Sequence, residues 1–168
     1  MKDVIYEMTE KTKKEREIPR AHLVHILSAA VIVGILVFDG AIFNFSTQVL
    51  AEYIRWEVRV IFCAIIAVFA LIFIIRSHNA LFGSEEEGPS HLITTGIFDQ
   101  VRHPMYLGIL LIHLAFIVLT ISLIALGAWI VIVFIYNRMA NYEEEVLEEM
   151  FGEDYQEYKK RTSKWVPR

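Results

Sequence analysis

Apolar residues are gathered into four long blocks along the chain, and the charged residues lie between them. The blocks predict membrane spans over residues 21–43, 58–75, 104–120 and about 122–136. A helix crosses a hydrocarbon core of about 30 Å with roughly 20 apolar residues, so the last two spans are short. Backbone polar groups in lipid must be satisfied within the span, which favours helices. We therefore expect an all-α polytopic membrane protein with about four transmembrane helices.

The connections between blocks predict how the helices are arranged. Pro104 marks the start of the third span, because proline is favoured at the first helical position. Spans three and four are almost contiguous around Ser122, so they must form a tight antiparallel hairpin. The fourth helix should continue over 138–160 as a helical arm, because Gly152 is the only helix-weakening residue there. The expected organisation is one integral domain: a charged lead-in over 1–20, the first two spans over 21–76, and 77–168 carrying a cofactor-binding loop, the hairpin and the arm.

Composition and charge placement support this assignment and predict an orientation. Hydrophobic residues make up 55% of the chain, and the mean hydropathy is +0.45. Lysine and arginine are concentrated near both termini, so the positive-inside rule places both termini and the loop between spans two and three in the cytoplasm. The charged N-terminal stretch and the long apolar run after it do not resemble a cleavable signal peptide. Asp39, near the far end of the first span, is expected to be solvated at the interface.

Membrane lipids are the expected surroundings, and no basic stripe with interleaved aromatic residues indicates a nucleic-acid partner. The single cysteine, Cys63, lies in an apolar block and is interpreted as a packing residue. No metal ligands are assigned.

Two polar clusters carry candidate chemistry. The first is the segment 102–106, where a loop enters the third span, and His103 and Tyr106 lie on one side of its first turn. The second is the acidic run 143–145, where the fourth span leaves the membrane. A His-Pro pair at a helix start is usually a cap, and a run of glutamates is usually a solvated face. The hairpin, however, brings the start of span three next to the end of span four, so the two clusters should meet at one membrane surface.

These clusters and their surroundings resemble a known family. The stretches HLITTGIF at 91–98 and VRHPMY at 101–106, followed by Glu143-Glu144, Phe151-Gly152, Tyr155, Tyr158 and Pro167, are similar to the signature of isoprenylcysteine carboxyl methyltransferases and related membrane methyltransferases. The resemblance covers residues 91–167. It implies a methyltransferase that uses S-adenosylmethionine without a Rossmann fold, with a lipophilic or lipid-linked substrate entering from the bilayer. Independently of the resemblance, no G-x-G-x-x-G turn is present.

The resemblance also implies roles for individual residues. Arg138 and Glu143 would stand nearest the reacting centre as catalytic residues. The family usually has an arginine four residues before the glutamate pair, but here that position is Met139, and Arg138 is rotated from it by about 100° on a helix. The residues expected to bind the cofactor are His91, Leu92, Ile93, Gly96, Val101, His103, Tyr106 and Glu144.

The acceptor is left open among several candidates. By analogy with the family, the first is the carboxylate of a prenylated cysteine, which needs no general base. A phospholipid amine or a small hydrophobic thiol is the alternative. Glu143 could hold the donor's ammonium, favour its sulfonium, or accept a proton from an amine or thiol acceptor. A non-catalytic membrane scaffold or channel subunit is the rival outside enzymes, with His113 inside span three as its best support.

Overall fold

The computed structural model describes residues 21–41, 50–82 and 92–167. Within these ranges the regular structure is helical, and no β-strand is present. The six helices are α1 (Ala21–Ala41), α2 (Trp56–Phe82), α3 (Ile97–Gln100), α4 (Pro104–Thr120), α5 (Leu123–Phe151) and α6 (Glu153–Arg161). The predicted all-α class is confirmed.

Helices α1, α2 and α5 are each long and apolar enough to cross a membrane, and α4 is a shorter apolar helix. Their outer surfaces carry large apolar side chains, such as Phe69 and Phe134, which are 57% and 67% exposed. A contiguous exposed apolar surface of this kind is stable in lipid rather than in water. The chain is therefore an integral membrane protein. Of the predicted spans, the third has the predicted limits, while α2 extends beyond 58–75 at both ends.

The hairpin between α4 and α5 is made by Ile121 and Ser122 alone. Ile121 adopts the left-handed conformation (φ 52°), and its N–H donates to the Ile117 carbonyl over 2.6 Å. Ser122 caps α5, and its hydroxyl donates to Asp39 Oδ2 over 2.9 Å. Asp39 is fully buried, so the expectation that it is solvated was wrong. The reason is that the end of α1 packs at the hairpin turn, where Ser122 provides a hydrogen-bond donor.

Gly108 allows α4 to pack closely against α2. A Cβ atom at this position would lie 2.6 Å from Ile74 Cγ1 and 2.9 Å from the Ala70 carbonyl oxygen. Small residues allow such approaches between helices in membranes, where dispersion contacts replace the hydrophobic effect. At the cytoplasmic end predicted above, Phe73 of α2 packs with Ile97 and Val101. Helix α2 therefore supports the loop that leads into α4.

The predicted arm is interrupted at Gly152, which takes a positive φ of 52°. Glycine adopts this conformation without a Cβ penalty, so the chain turns and α6 begins as a separate helix. The single continuous helix over 138–160 was therefore a wrong prediction. The Tyr158 hydroxyl of α6 donates to the Phe98 carbonyl over 2.6 Å, and the Arg102 N–H donates to the Ser163 carbonyl over 2.9 Å. These bonds hold α6 and the tail against the loop before α4.

Candidate functional site

His103 is buried between two carboxylates at the start of α4. Its Nδ1 lies 3.3 Å from Glu143 Oε2, and its Nε2 lies 3.0 Å from Glu144 Oε1. The residue occupies the N-cap position, and Pro104 begins the helix immediately after it. Burial alone would lower the pKa of His103, but hydrogen bonds to Glu143 and Glu144 and their charges outweigh burial and raise this pKa. Because each ring nitrogen faces a carboxylate oxygen, the arrangement favours the protonated ring.

Glu144 is the centre of a group of cationic side chains. Its Oε1 lies 3.0 Å from Arg102 Nη2, 3.0 Å from His103 Nε2 and 3.6 Å from Lys164 Nζ. The carboxylate is only 9% exposed. A buried charge is tolerated when it is paired and hydrogen-bonded, and removing one partner is costly. Glu144 therefore fixes the loop, α5 and the C-terminal tail relative to one another.

Arg102 extends this network to the end of α6. Its Nη1 donates to the carbonyls of Lys159, over 3.2 Å, and Thr162. The planar guanidinium donates from separate nitrogens to a carboxylate and to two backbone acceptors, in a fork geometry that lysine lacks. The tail beyond α6 is held on α5 by Trp165 Nε1, which donates to Asn137 Oδ1 over 3.1 Å, and by a bond from Lys164 to Asn141.

Aromatic rings lie beside the more exposed carboxylate. The side chain of Glu143 is 30% exposed, unlike that of Glu144. Tyr106 stacks on His103 at a centroid distance of 5.8 Å, and Trp165 lies 5.8 Å from the same ring. Tyr136 meets Tyr106 edge to face at 5.5 Å. An accessible carboxylate beside aromatic faces is a suitable setting for an organic cation.

Two buried hydroxyls next to this network lack partners. Tyr155 Oη and Thr162 Oγ1 make no hydrogen bond within the described residues. Buried polar atoms are almost always hydrogen-bonded in proteins, so each of these atoms needs a partner. The carbonyl of Thr162 already accepts a hydrogen bond from Arg102, which places this residue at the edge of the network. Both hydroxyls are candidates for contact with a polar ligand.

The loop before α4 contains both partly exposed residues and residues that pack in the core. Leu92 and Ile93 are half-buried and lie outside the helices. Gly96 has a positive φ of 67° and precedes the short helix α3. Val101 is fully buried in the cluster with Ile97, where it packs rather than lines an open surface. The predicted residue His91 lies outside the described residues.

The structure brings together four of the predicted residues: His103, Tyr106, Glu143 and Glu144. It does not bring Arg138 to them, because this side chain is exposed on the outer face of α5. Met139, which occupies the position of the family's arginine, is buried in the core formed by the helices.

Sequence reasoning offered Arg102 as one possible partner of the glutamates, but it did not assign the network roles of Lys164 and Trp165. The two tail residues gave no periodic signal, because their contacts depend on the turn at Gly152. The polar residues inside apolar blocks, His25 and Tyr136, carried a signal that was not used, since polar groups in a membrane span are costly. In the portion of the chain that the structure describes, no group of three or more His, Cys, Asp or Glu side chains is arranged to hold a metal ion.

A comparison with known families matches residues 58–154 to the model described as phospholipid methyltransferase, which is more than half of the chain. The chain belongs to the phospholipid methyltransferase family. The matched region includes nearly all of α2, then α3, α4 and α5, and the first residues of α6. Helix α1 lies outside it.

Curated relatives agree with the resemblance seen in the motifs. Methanethiol S-methyltransferase 1 of Bradyrhizobium diazoefficiens is 33% identical over 119 residues, covering 66% of this chain and 41% of that protein. Protein-S-isoprenylcysteine O-methyltransferase B of Arabidopsis thaliana is 32% identical over 93 residues, covering 55% of this chain and 47% of that protein. The protein-S-isoprenylcysteine O-methyltransferase of Dictyostelium discoideum is 36% identical over 87 residues, covering 49% of this chain and 36% of that protein. The chain thus spans less than half the length of these relatives.

Proposed function

We propose that this chain transfers a methyl group from S-adenosylmethionine to a lipophilic acceptor that enters from the bilayer. The observation that carries the proposal is the position of His103 between Glu143 and Glu144, at the meeting point of α4 and α5. A channel subunit or scaffold has no need for a buried histidine that contacts two carboxylates and is covered by the C-terminal tail. The family supports a methyltransferase activity.

The residues present fit the methyl donor. The partly exposed carboxylate of Glu143 would hold its cationic groups, beside the rings of Tyr106 and Trp165. The unpartnered hydroxyls of Tyr155 and Thr162 would contact its polar groups. When bound, S-adenosylmethionine supplies an electrophilic methyl group. The protein's task is then to orient the two reactants and exclude water, and the rigid network around Glu144 is suited to that task.

The structure favours a thiol as the acceptor over a carboxylate. A carboxylate acceptor needs a cationic anchor, but Arg138 is exposed on the outer face of α5, and the buried residue next to it is Met139. The relative named for methanethiol is aligned over a larger share of this chain than the two isoprenylcysteine O-methyltransferases. We place a small hydrophobic thiol first and keep the carboxylate of a prenylated cysteine as the second candidate, because those two relatives act on it by name.

The test is a methyl-transfer assay on detergent-purified protein with radiolabelled S-adenosylmethionine. Three acceptors are offered: a short alkanethiol, a farnesylated cysteine and phosphatidylethanolamine in mixed micelles. We expect methylation of the alkanethiol above the other two, near-complete loss in Glu143→Gln, and unchanged activity in the control Arg138→Ala. Absence of methylation with every acceptor would overturn the proposal. Preference for the farnesylated cysteine, together with loss of activity in Arg138→Ala, would overturn only the choice of acceptor.

A further inference from the structure

Helix α1, which lies outside the family match, contributes an imidazole to the rings of the candidate site. The ring of His25 lies 5.6 Å from that of Tyr106 and 5.5 Å from that of Tyr136, between centroids. Tyr106 in turn stacks on His103, which contacts Glu143. His25 is half-buried. It therefore lies on the membrane side of the site, across one aromatic ring from the carboxylate.

The hydrogen bonds around His25 determine which ring nitrogen carries the proton. The Ser28 hydroxyl donates to the His25 carbonyl over 2.9 Å, which uses its only proton. The Tyr136 hydroxyl lies 3.2 Å from Ser28 Oγ, so the Tyr136 proton must be the one donated there. Tyr136 Oη also lies 2.8 Å from His25 Nδ1. When all three bonds form together, the Tyr136 proton is used by Ser28 and Nδ1 of His25 is the donor, which leaves a lone pair on Nε2 of the neutral ring.

The groups facing His25 leave that lone pair available. His22 of the same helix, His113 of α4 and Glu143 of α5 interact with it electrostatically. Tyr106 and Tyr136 contact it through their rings. None of these groups makes a hydrogen bond to Nε2 within the described residues. This hydrogen-bond arrangement gives the site an imidazole that can accept a proton at Nε2, with its ring held by a tyrosine and a serine.

A thiol acceptor requires such a base. The thiolate is the nucleophilic form, and a thiol with a pKa near or above that of cysteine, about 8.5, is mostly protonated at neutral pH. A low-dielectric membrane site disfavours the thiolate further. A carboxylate acceptor, by contrast, is already ionised and would leave His25 without a role in proton transfer.

We propose that the acceptor is a thiol and that His25 Nε2 takes its proton during methyl transfer, an inference that rests on the proposed function. The S–H bond of the acceptor breaks, and its proton goes to Nε2. The sulfur forms a bond to the methyl carbon, and the electron pair of the donor's C–S bond stays on the donor's sulfur. The resulting imidazolium of His25 holds the proton at the end of the transfer step. His25 is thus a catalytic residue supplied by α1.

The first part of the test needs no methyl donor. Nuclear magnetic resonance of protein with labelled histidine rings, with His25→Asn used to assign the signal, reports the tautomer of His25. We expect the Nδ1–H form in the wild type. Ser28→Ala releases the Tyr136 proton to Nδ1, so the Nε2–H form should replace the Nδ1–H form. A wild-type ring protonated on Nε2 would overturn the proposal.

The second part compares two thiols with different proton requirements. His25→Asn keeps a donor at the position of Nδ1 and so retains the bond to Tyr136, but it removes the base. We expect it to slow methylation of an alkanethiol by about 100-fold or more. An aromatic thiol that is already ionised at the assay pH should be methylated at nearly the wild-type rate. Equal slowing of both thiols would indicate a structural role and overturn the proposal, as would no slowing of either.

The failures of the two proposals are distinguishable. If the wild type methylates neither thiol, the choice of a thiol as the acceptor in the proposed function is wrong, and the inference that His25 takes the thiol proton is wrong as well. If the wild type methylates both thiols and His25→Asn does not discriminate between them, the methyltransferase stands and only the role of His25 is lost.

Discussion

At the scale of single residues, His103 lies in a setting that only its protonated form satisfies, because each ring nitrogen faces a carboxylate oxygen. The sequence predicted that His103 and Glu144 would meet, since the short hairpin requires it. It did not predict the charge state, because this depends on Glu143 and Glu144 approaching opposite sides of one ring. That geometry depends on the N-cap backbone conformation of His103 and on the position of α5 along α4. Neither can be predicted from the sequence spacing of these residues alone.

The raised pKa of His103 predicts a pH-dependent stability. In the unfolded chain this pKa is near 6.5, and in the folded protein the two carboxylates raise it. A group with a raised folded-state pKa contributes stability fully below its unfolded pKa, and the contribution is lost as the pH rises through the folded-state value. The melting temperature should therefore fall as the pH rises above 6.5. His103→Gln should flatten this dependence in thermal unfolding, and equal slopes in the two proteins would contradict the assignment.

Glu144 and its neighbour Glu145 form a matched pair for testing the buried network. Glu144→Gln leaves Arg102, His103 and Lys164 without the charge they surround, and removing one partner of a buried pair costs about 3–5 kcal/mol. Glu145 is exposed, so Glu145→Gln should change the free energy of unfolding by less than about 0.5 kcal/mol. Chemical unfolding in detergent followed by circular dichroism measures both. Similar effects in the two variants would show that Glu144 does not organise the site.

At the scale of elements, the sequence predicted those features that depend on local signals. The limits of α4 followed from Pro104 and from the almost immediate start of the next apolar block. The separation of α6 from α5 was missed, although Gly152 was noted, because a glycine inside a helical pattern only sometimes breaks the helix. The break is decided by contacts that span about 60 residues, such as the Tyr158 bond to Phe98. Such contacts have no signature in the local pattern.

Gly108 of α4 and Gly127 of α5 allow the effect of close helix packing to be measured apart from the effect of helix propensity, because only Gly108 has close neighbours. Gly108→Ala places a methyl group 2.6 Å from Ile74 and 2.9 Å from the Ala70 carbonyl, so overpacking should destabilise the protein by about 1–3 kcal/mol. Gly127 has no atoms within 4 Å of the position of a Cβ. Gly127→Ala should therefore be neutral or stabilising by about 0.5–1 kcal/mol. Unfolding in detergent checks the pair, and a neutral Gly108→Ala would refute the close packing of α2 and α4.

At the scale of the whole molecule, the prediction that remains to be tested is orientation. Four spans with basic flanks should place the N terminus, the loop between spans two and three and the C-terminal arm in the cytoplasm. Substituted cysteines in a Cys63→Ala background test this with an impermeant maleimide on vesicles of known orientation. Glu86→Cys and Glu157→Cys should be labelled from the cytoplasmic side, and Thr47→Cys from the opposite side. Labelling of Glu86→Cys and Glu157→Cys from opposite sides would contradict the four-span arrangement.

The measurement that tests the central claim most directly is a calorimetric titration of S-adenosylmethionine into the purified protein. The wild type should bind saturably. Glu143→Gln should bind at least about tenfold more weakly, a loss of about 1.4 kcal/mol, because it removes the accessible negative charge beside Tyr106 and Trp165. Glu145→Gln should bind like the wild type. A flat titration on folded wild-type protein, or equal affinity in Glu143→Gln, would contradict a methyl-donor site at the junction of α4, α5 and the C-terminal tail.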